Sequence, residues 1–307
     1  MATSFSPSNS VTVTTADKFI PDIWSDEIIA AYKKSLVAAN LFKKMTFTGK
    51  KGDTIHIPSP TRGVASLKAA ETQVTLQAAT ETEVQVLVDK HYEYSRLIED
   101  ITEVQALSSL RRFYTEDAGY ALSKQVDTSL IQLGRGFNGG GGTAAYSGAY
   151  IGGDGTTAYN SGTSNQSALT DAAIRRTIQR LDDNDVPMDG RFFLIPPSAR
   201  NTLMGLSRYT EQAFVGEVGG GNTIRNGEIG NLYGIPVFVS SNADTATGAA
   251  RIALLGHKDA AVLVEQQGVR SQTQYKQEYL GTLYTADTLY GVKELRDGSC
   301  FALACPA

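Results

Sequence analysis

The chain holds two cysteines and three histidines in 307 residues, and each scarcity removes a class of chemistry. Cys300 and Cys305 lie in the apolar run CFALAC, which reads as a strand. Residues an odd number apart on a pleated strand face opposite sides, so these thiols are not placed to pair, and a disulfide-dependent scaffold is excluded. His56, His91 and His257 form no H-x-x-x-H and none adjoins a cysteine, which leaves no zinc signature and no imidazole constellation for general acid–base work. Neither G-x-x-x-x-G-K-S/T nor G-x-S-x-G occurs, so the phosphate-cradling P-loop and the nucleophile elbow are missing. Gly134, Gly136 and Gly139 do match G-x-G-x-x-G, but they follow a helical pattern and run into more glycine, with no helix N-terminus behind them to hold a pyrophosphate. In the acidic run Asp182, Asp183, Asp185 and Asp189, Pro187 and Met188 stand where a calcium loop needs an oxygen ligand and a glycine, so the run reads as a solvated turn. No catalytic, cofactor-binding or metal-ligating set is predicted, and the chain reads as a non-enzyme.

Positive charge is also short. The formal net charge is −4, whereas a protein built to grip nucleic acid needs a surplus of Lys and Arg on one face. The local cluster of Lys43, Lys44, Lys50 and Lys51 reads as solvated charge at a strand end. No apolar run approaches the roughly 18 residues of a membrane span, and the Ser/Thr-rich N-terminus has no basic-then-apolar signal pattern. The expectation is a chain made in the cytosol, without membrane association.

What the sequence does contain is pattern. Apolar residues recur at the helical period from Ile101 through Val104, Leu107, Leu110, Tyr114, Ala118, Leu122, Val126 and Leu130 to Leu133, predicting one long amphipathic helix. Asp100 and Glu103 form a capping pair ahead of it, and Gly134 and Gly136 supply a stop. Residues 1–20 are small and polar and read as an extended arm that needs a partner to order it. Ser25 caps a predicted helix whose Ile28, Ile29, Tyr32, Leu36 and Leu41 face inward. GDTIHIPSP predicts a strand ended by proline, and Val84, Val86, Val88, Tyr92 and Tyr94 alternate in a returning strand. Together they make a two-stranded excursion too thin to stand alone.

Residues 134–162 read as a loop or linker of low complexity that divides the chain. Beyond it a helix over 168–181, the buried strand RFFLIPP, a short helix near 198–206 and strands at 235–239 and IALLG predict a compact α/β or α+β unit. AVLVEQQ reads as helical, and segments near 272–280, 288–296 and 300–303 as strands of a closing antiparallel sheet. Tyr275, Tyr279, Tyr284 and Tyr290 are expected to pack a sheet or an interface.

This order of elements resembles the major capsid protein of tailed bacteriophages, the Hong Kong 97 type fold. GDTIHIPSP is similar to the start of that family's extended loop, and VDKHYEYSRLIEDIT to its return strand and spine helix. GRFFLIPP and IRNGEIGNLYGIPVFVSSN resemble its axial subdomain; LLGHKDAAVLVEQQGVR and YLGTLYTADTLYGVKELRDG resemble its closing peripheral segment. The resemblance implies an α+β fold with a long spine helix, an extended loop, and peripheral and axial subdomains. Its divisions are an arm over 1–20, a helical region over 21–51, the extended loop and return strand over 52–95, the spine helix and glycine-rich loop over 96–163, the axial subdomain over 164–255 and the closing peripheral segment over 256–307.

The implied function is a self-assembling head subunit, in pentamers and hexamers of an icosahedral shell around double-stranded DNA. An encapsulin-type shell around protein cargo is the alternative, and a nucleotide-binding α/β enzyme a more distant one. The implied partners are other copies of the chain, a separate scaffolding protein (since only a short arm precedes the shell domain), a portal, a decoration protein and weakly held DNA. The implied location is the virion, with assembly in the host cytoplasm. Candidate intersubunit contacts are Lys68, Glu71, Val74 and Leu76 in the extended loop, and Arg225 and Glu228. Nothing around Lys68 supports the lysine–asparagine crosslinking of some members.

Overall fold

The computed structural model describes residues 37–47, 52–60, 63–74, 76–77, 81–100, 109–140, 146–206, 230–246 and 249–307. The arm over 1–20, the Ser25-capped turns, Lys50, Lys51, Glu103, Arg225 and Glu228 lie outside them.

Two sheets organise the chain. The larger has seven strands: β5 (Tyr150–Ile151), β6 (Arg191–Ile195), β7 (Asn231–Leu232), β8 (Ile235–Val239), β9 (Thr245–Ala246), β10 (Ala250–His257) and β13 (Cys300–Pro306). Its order is β5-β13-β10-β6-β8-β7, with β9 also on β10. Both faces are covered, which is why RFFLI is buried at every residue and reads as an unbroken apolar run. Phe193, Ile195, Ala253, Leu255, Phe301 and Leu303 pack against helix α3 (Asp171–Asp183) and the short α4 (Pro197–Met204). Thr170 caps α3 by accepting from the Ala173 N–H at 3.3 Å. On the other face Phe192, Leu194, Ile252, Leu254 and Ala302 meet the C-terminal end of α2 (Ser109–Gln132) and the short α1 (Ala38–Leu41). Cys300 belongs to the second cluster and Cys305 to the first, on opposite faces of β13, and both thiols are free and buried.

The smaller sheet has the order β1-β11-β12-β4, from β1 (Lys43–Thr46), β4 (Lys90–Glu99), β11 (Ala261–Lys276) and β12 (Gly281–Glu294). Helix α2 lies across one face, with Ala118 and Leu122 against Tyr92, Tyr94, Tyr284 and Ala286. Its 24 described residues run for about 36 Å, long enough to reach from this sheet to the other. The buried face carries polar groups too: Ser129 hydrogen-bonds Tyr290 at 2.9 Å, and Asp127 accepts from the Ala38 N–H at 2.7 Å and Asn242 Nδ2 at 2.9 Å. Burial raises the Asp127 carboxyl above its ordinary pKa, against the pull of those hydrogen bonds. A turn of 3-10 helix, Leu133–Arg135, ends the element. Gly134 serves there through packing, because a Cβ would lie 2.7 Å from Leu254 Cδ2.

Three expectations are corrected. AVLVEQQ is the start of strand β11: Ala261 and Leu263 enter one core and Val262 and Val264 another, so burial on both faces erases the alternation that marks a strand. Residues 134–162 are not a linker, since Phe137, Tyr146, Ala149 and Tyr159 are buried and β5 pairs with β13. Arg135 and Tyr146 both donate to Asp244 at 2.7 Å, tying this stretch to the loop before β9. The closing segment is also split, because β13 pairs with β10 in the larger sheet while β11 and β12 build the smaller one.

Candidate assembly surface

A two-stranded ribbon, β2 (Thr54–Pro60) and β3 (Glu81–Leu87), leaves the smaller sheet. Its register runs from Thr54 opposite Leu87 to Pro60 opposite Glu81. The root is firm. Ile55, Ile57, Val86 and Val88 pack with Val262 and Val264, Val88 N–H donates to Asp53 O at 2.8 Å, and Gln266 reaches Gly52 O at 3.1 Å. Gly291 on β12 makes this docking possible, since a Cβ there would stand 2.2 Å from Leu87 O. Farther out, His56 and Glu83 pair at 3.0 Å in solvent, and the Gln85 amide and then His56 hold the Glu83 carboxyl below its ordinary range. Pro58 and Pro60 lack the N–H that a further strand would need.

Beyond the strands, residues 63–74 and 76–77 run without helix or strand. Gln77 fastens the two sides, accepting from Val64 N–H at 3.0 Å and donating to Val64 O. Every described residue of this loop is exposed, including Lys68 and Glu71. So are four aliphatic side chains: Val64 at 76%, Leu67 completely, Val74 at 62% and Leu76 at 89%. The sequence singles out Val74 and Leu76 but not Val64 and Leu67, which are exposed because no packed layer among the described residues lies near the loop. Apolar groups concentrated on one protruding segment mark a surface that another molecule covers.

The histidines serve structure. His257 contacts Asp189 O at 2.7 Å through Nε2 and accepts from the Asp259 N–H at 3.1 Å. His91 joins Arg270 and Gln267 around Asp287, whose carboxyl is drawn down to about 2, first by the Arg270 hydrogen bond. That cluster crosslinks β4, β11 and β12 where β11 bulges. Two of the groups read as solvated charge are paired instead: Lys44 with Glu265 at 2.8 Å, and Asp182 with the buried Arg191 at 2.6 Å. Among the described residues no group of His, Cys, Asp and Glu could hold a metal ion, and no helix is long and apolar enough to cross a membrane.

A rigid two-sheet body with a firmly rooted ribbon ending in bare aliphatic side chains defines a building block of a larger assembly. The profile of the phage capsid protein family matches residues 99–297, more than half of the chain, and the chain belongs to that family. Solved structures agree on the fold. A Mycobacterium phage Che8 chain is similar at TM-score 0.75 and 24% identity, over 93% of this chain and 97% of that one. The capsid of cyanophage P-SCSP1u is similar at TM-score 0.76 and 18% identity, over 98% of both chains. The mature capsid of bacteriophage PhiM1 is similar at 0.71 and 13%, over 93% and 92%. No curated protein matches the sequence. The chain is a structural capsid protein of the virion, and the encapsulin and nucleotide-binding alternatives are not favoured.

Proposed function

We propose that copies of this chain form pentameric and hexameric capsomers that close an icosahedral head around double-stranded DNA. The observation that carries the reading is the exposed aliphatic loop at the end of the ribbon. Its burial against another copy supplies the association energy that a lone subunit cannot realise, at roughly 25 cal/mol per Å² of apolar surface covered. The ribbon lies over a neighbouring subunit, with Lys68, Glu71, Val74 and Leu76 in the contact and Arg225 and Glu228 as further contact residues. The role is structural and not catalytic. Assembly proceeds in the host cytoplasm with a separate scaffolding protein and a portal, and a decoration protein joins the finished shell. The net charge of −4 suits an inner wall that holds packaged DNA only weakly.

Negative-stain microscopy of the expressed protein, with and without a scaffolding protein, tests the reading. Closed shells that take up DNA when a portal is supplied are the expected result. Monomers under both conditions would refute it, and shells filled with an enzyme would move the protein to the nanocompartment class.

A further inference from the structure

Three segments far apart in sequence meet at one buried carboxylate. Asp127 on α2 is 1% exposed; its Oδ1 accepts from the Ala38 N–H at 2.7 Å and its Oδ2 from Asn242 Nδ2 at 2.9 Å, with the Val37 N–H as a further donor. Val37 offers α1 no side-chain cap, so Asp127 satisfies the orphan N–H groups at the start of that helix from outside the segment. Residues 1–36 join the described body at this point. Removal from water raises the carboxyl above its ordinary 3.8, and the hydrogen bonds from Asn242 and from the two backbone donors pull it back only in part. No cation is among its partners. Among the elements packed here, α1 carries no ionisable side chain, Asp244 in the loop before β9 is bound to Arg135, Arg251 on β10 donates to Ala243 O, Tyr290 on β12 bonds Ser129, and Lys124 lies one turn earlier on α2. Asn242 suits either protonation state: its amide donates to the ionised carboxylate through Nδ2 and, turned over, accepts from the protonated acid through Oδ1, giving up only its 3.1 Å contact with Thr128 Oγ1. Protonation therefore removes a buried charge and leaves both carboxyl oxygens hydrogen-bonded.

We propose that Asp127 is a proton-operated catch on residues 37–42, which grips them more firmly when its carboxyl is protonated and eases them from α2 when it ionises. Because the closed segment raises the affinity of this carboxyl for a proton, the grip is fully present below about 3.8 and is lost as pH rises through the raised value. The catch acts within one subunit and does not depend on how copies associate. It sets how readily the chain before Val37 moves off the body.

Amide hydrogen exchange of the full chain, kept as free subunits, tests it. Glu294→Gln serves as the background, since Glu294 titrates in the same interval. After correction for intrinsic exchange, protection of residues 38–42 should rise as pH falls from about 7 to about 4, by at most about tenfold per pH unit, the limit for one proton. These residues should also exchange at lower protection than β6 and β10, as a segment that opens by itself does. Asp127→Asn, whose carboxamide copies the protonated acid, should hold the segment at neutral pH as tightly as the parent does in acid, with no pH dependence left. Should that variant fail to fold, the profile of the parent decides alone. Protection that stays level or falls toward acid would overturn the proposal, and so would a pH dependence that survives in Asp127→Asn. Exchange of residues 38–42 only together with β6 and β10 would reject it as well, because the segment would then have no opening of its own to control.

Discussion

The seven-stranded sheet and the ribbon solve the same problem in opposite ways. In the sheet, each apolar residue of β6, β10 and β13 finds cover within the chain, α3 and α4 on one face and α2 with α1 on the other. In the ribbon, alternation buries one row only at the root, and Val64, Leu67, Val74 and Leu76 on the loop beyond it remain exposed. Energy in the first region stabilises the fold, whereas energy in the second is deferred until another molecule arrives. Substitutions in the two regions should therefore separate folding from assembly.

The largest effect is expected in the sheet. Leu254 is fully buried, opposite Leu194 and Ala302 in register, and packs on Gly134, which has no side chain to fill a void. Leu254→Ala should cost about 2–5 kcal/mol of stability, read from denaturant midpoints, and assembly should fall with it. A loss below about 1 kcal/mol would mean that this core relaxes as freely as a surface, and would break the contrast.

In the ribbon the contrast should invert. Leu67→Ser combined with Leu76→Ser should shift stability by no more than about 0.5 kcal/mol, because neither side chain touches a packed layer. Sedimentation should nevertheless show shells lost or greatly reduced. Normal shells from this variant would deprive the loop of its proposed role.

The same contrast governs what could be read from the sequence. Helix α2, β6 and the ribbon were legible because a helical period runs through α2, an unbroken apolar run through β6 and an alternation through the ribbon. Strand β11 was not, since Ala261–Val264 are buried on both faces and a run of four apolar residues fits helix and strand alike. The stretch after α2 misled for another reason: its glycines dominate the composition, while three scattered aromatics, Phe137, Tyr146 and Tyr159, do the packing. Those aromatics were the available signal. The sheet that β13 joins is decided by its pairing with β10, about fifty residues earlier, and no local pattern encodes such a partner. Asp127 escaped notice because a buried carboxylate contributes nothing to an apolar period. The position of Lys68, Glu71, Val74 and Leu76 on an exposed loop was legible, since a polar, weakly patterned stretch between two strands has nothing to pack against.

The last effect, on the pH profile, lies at the junction of the two regions. A cleft between the ribbon and the end of β12 is lined by Glu83, Gln85, Lys293, Glu294 and Asp297. Burial, and then the adjacent Asp297 carboxyl, push Glu294 up to about 7 from an ordinary 4.5, while Lys293 pulls the other way. Asp297 is held in place by the Gly139 N–H, 3.0 Å from its carboxyl oxygens. The folded chain thus keeps a proton on Glu294 that the unfolded chain gives up near 4.5. Across that interval the native state binds more protons, so stability falls as pH rises. The contribution is fully present below about 4.5 and lost as pH passes about 7. Glu294→Gln, neutral at every pH, should flatten this part of the stability profile and leave the rest unchanged. If denaturant midpoints from pH 4.5 to 7 fall equally in both proteins, Glu294 is not the group responsible, and the cleft then belongs with the solvated ribbon instead of the buried body.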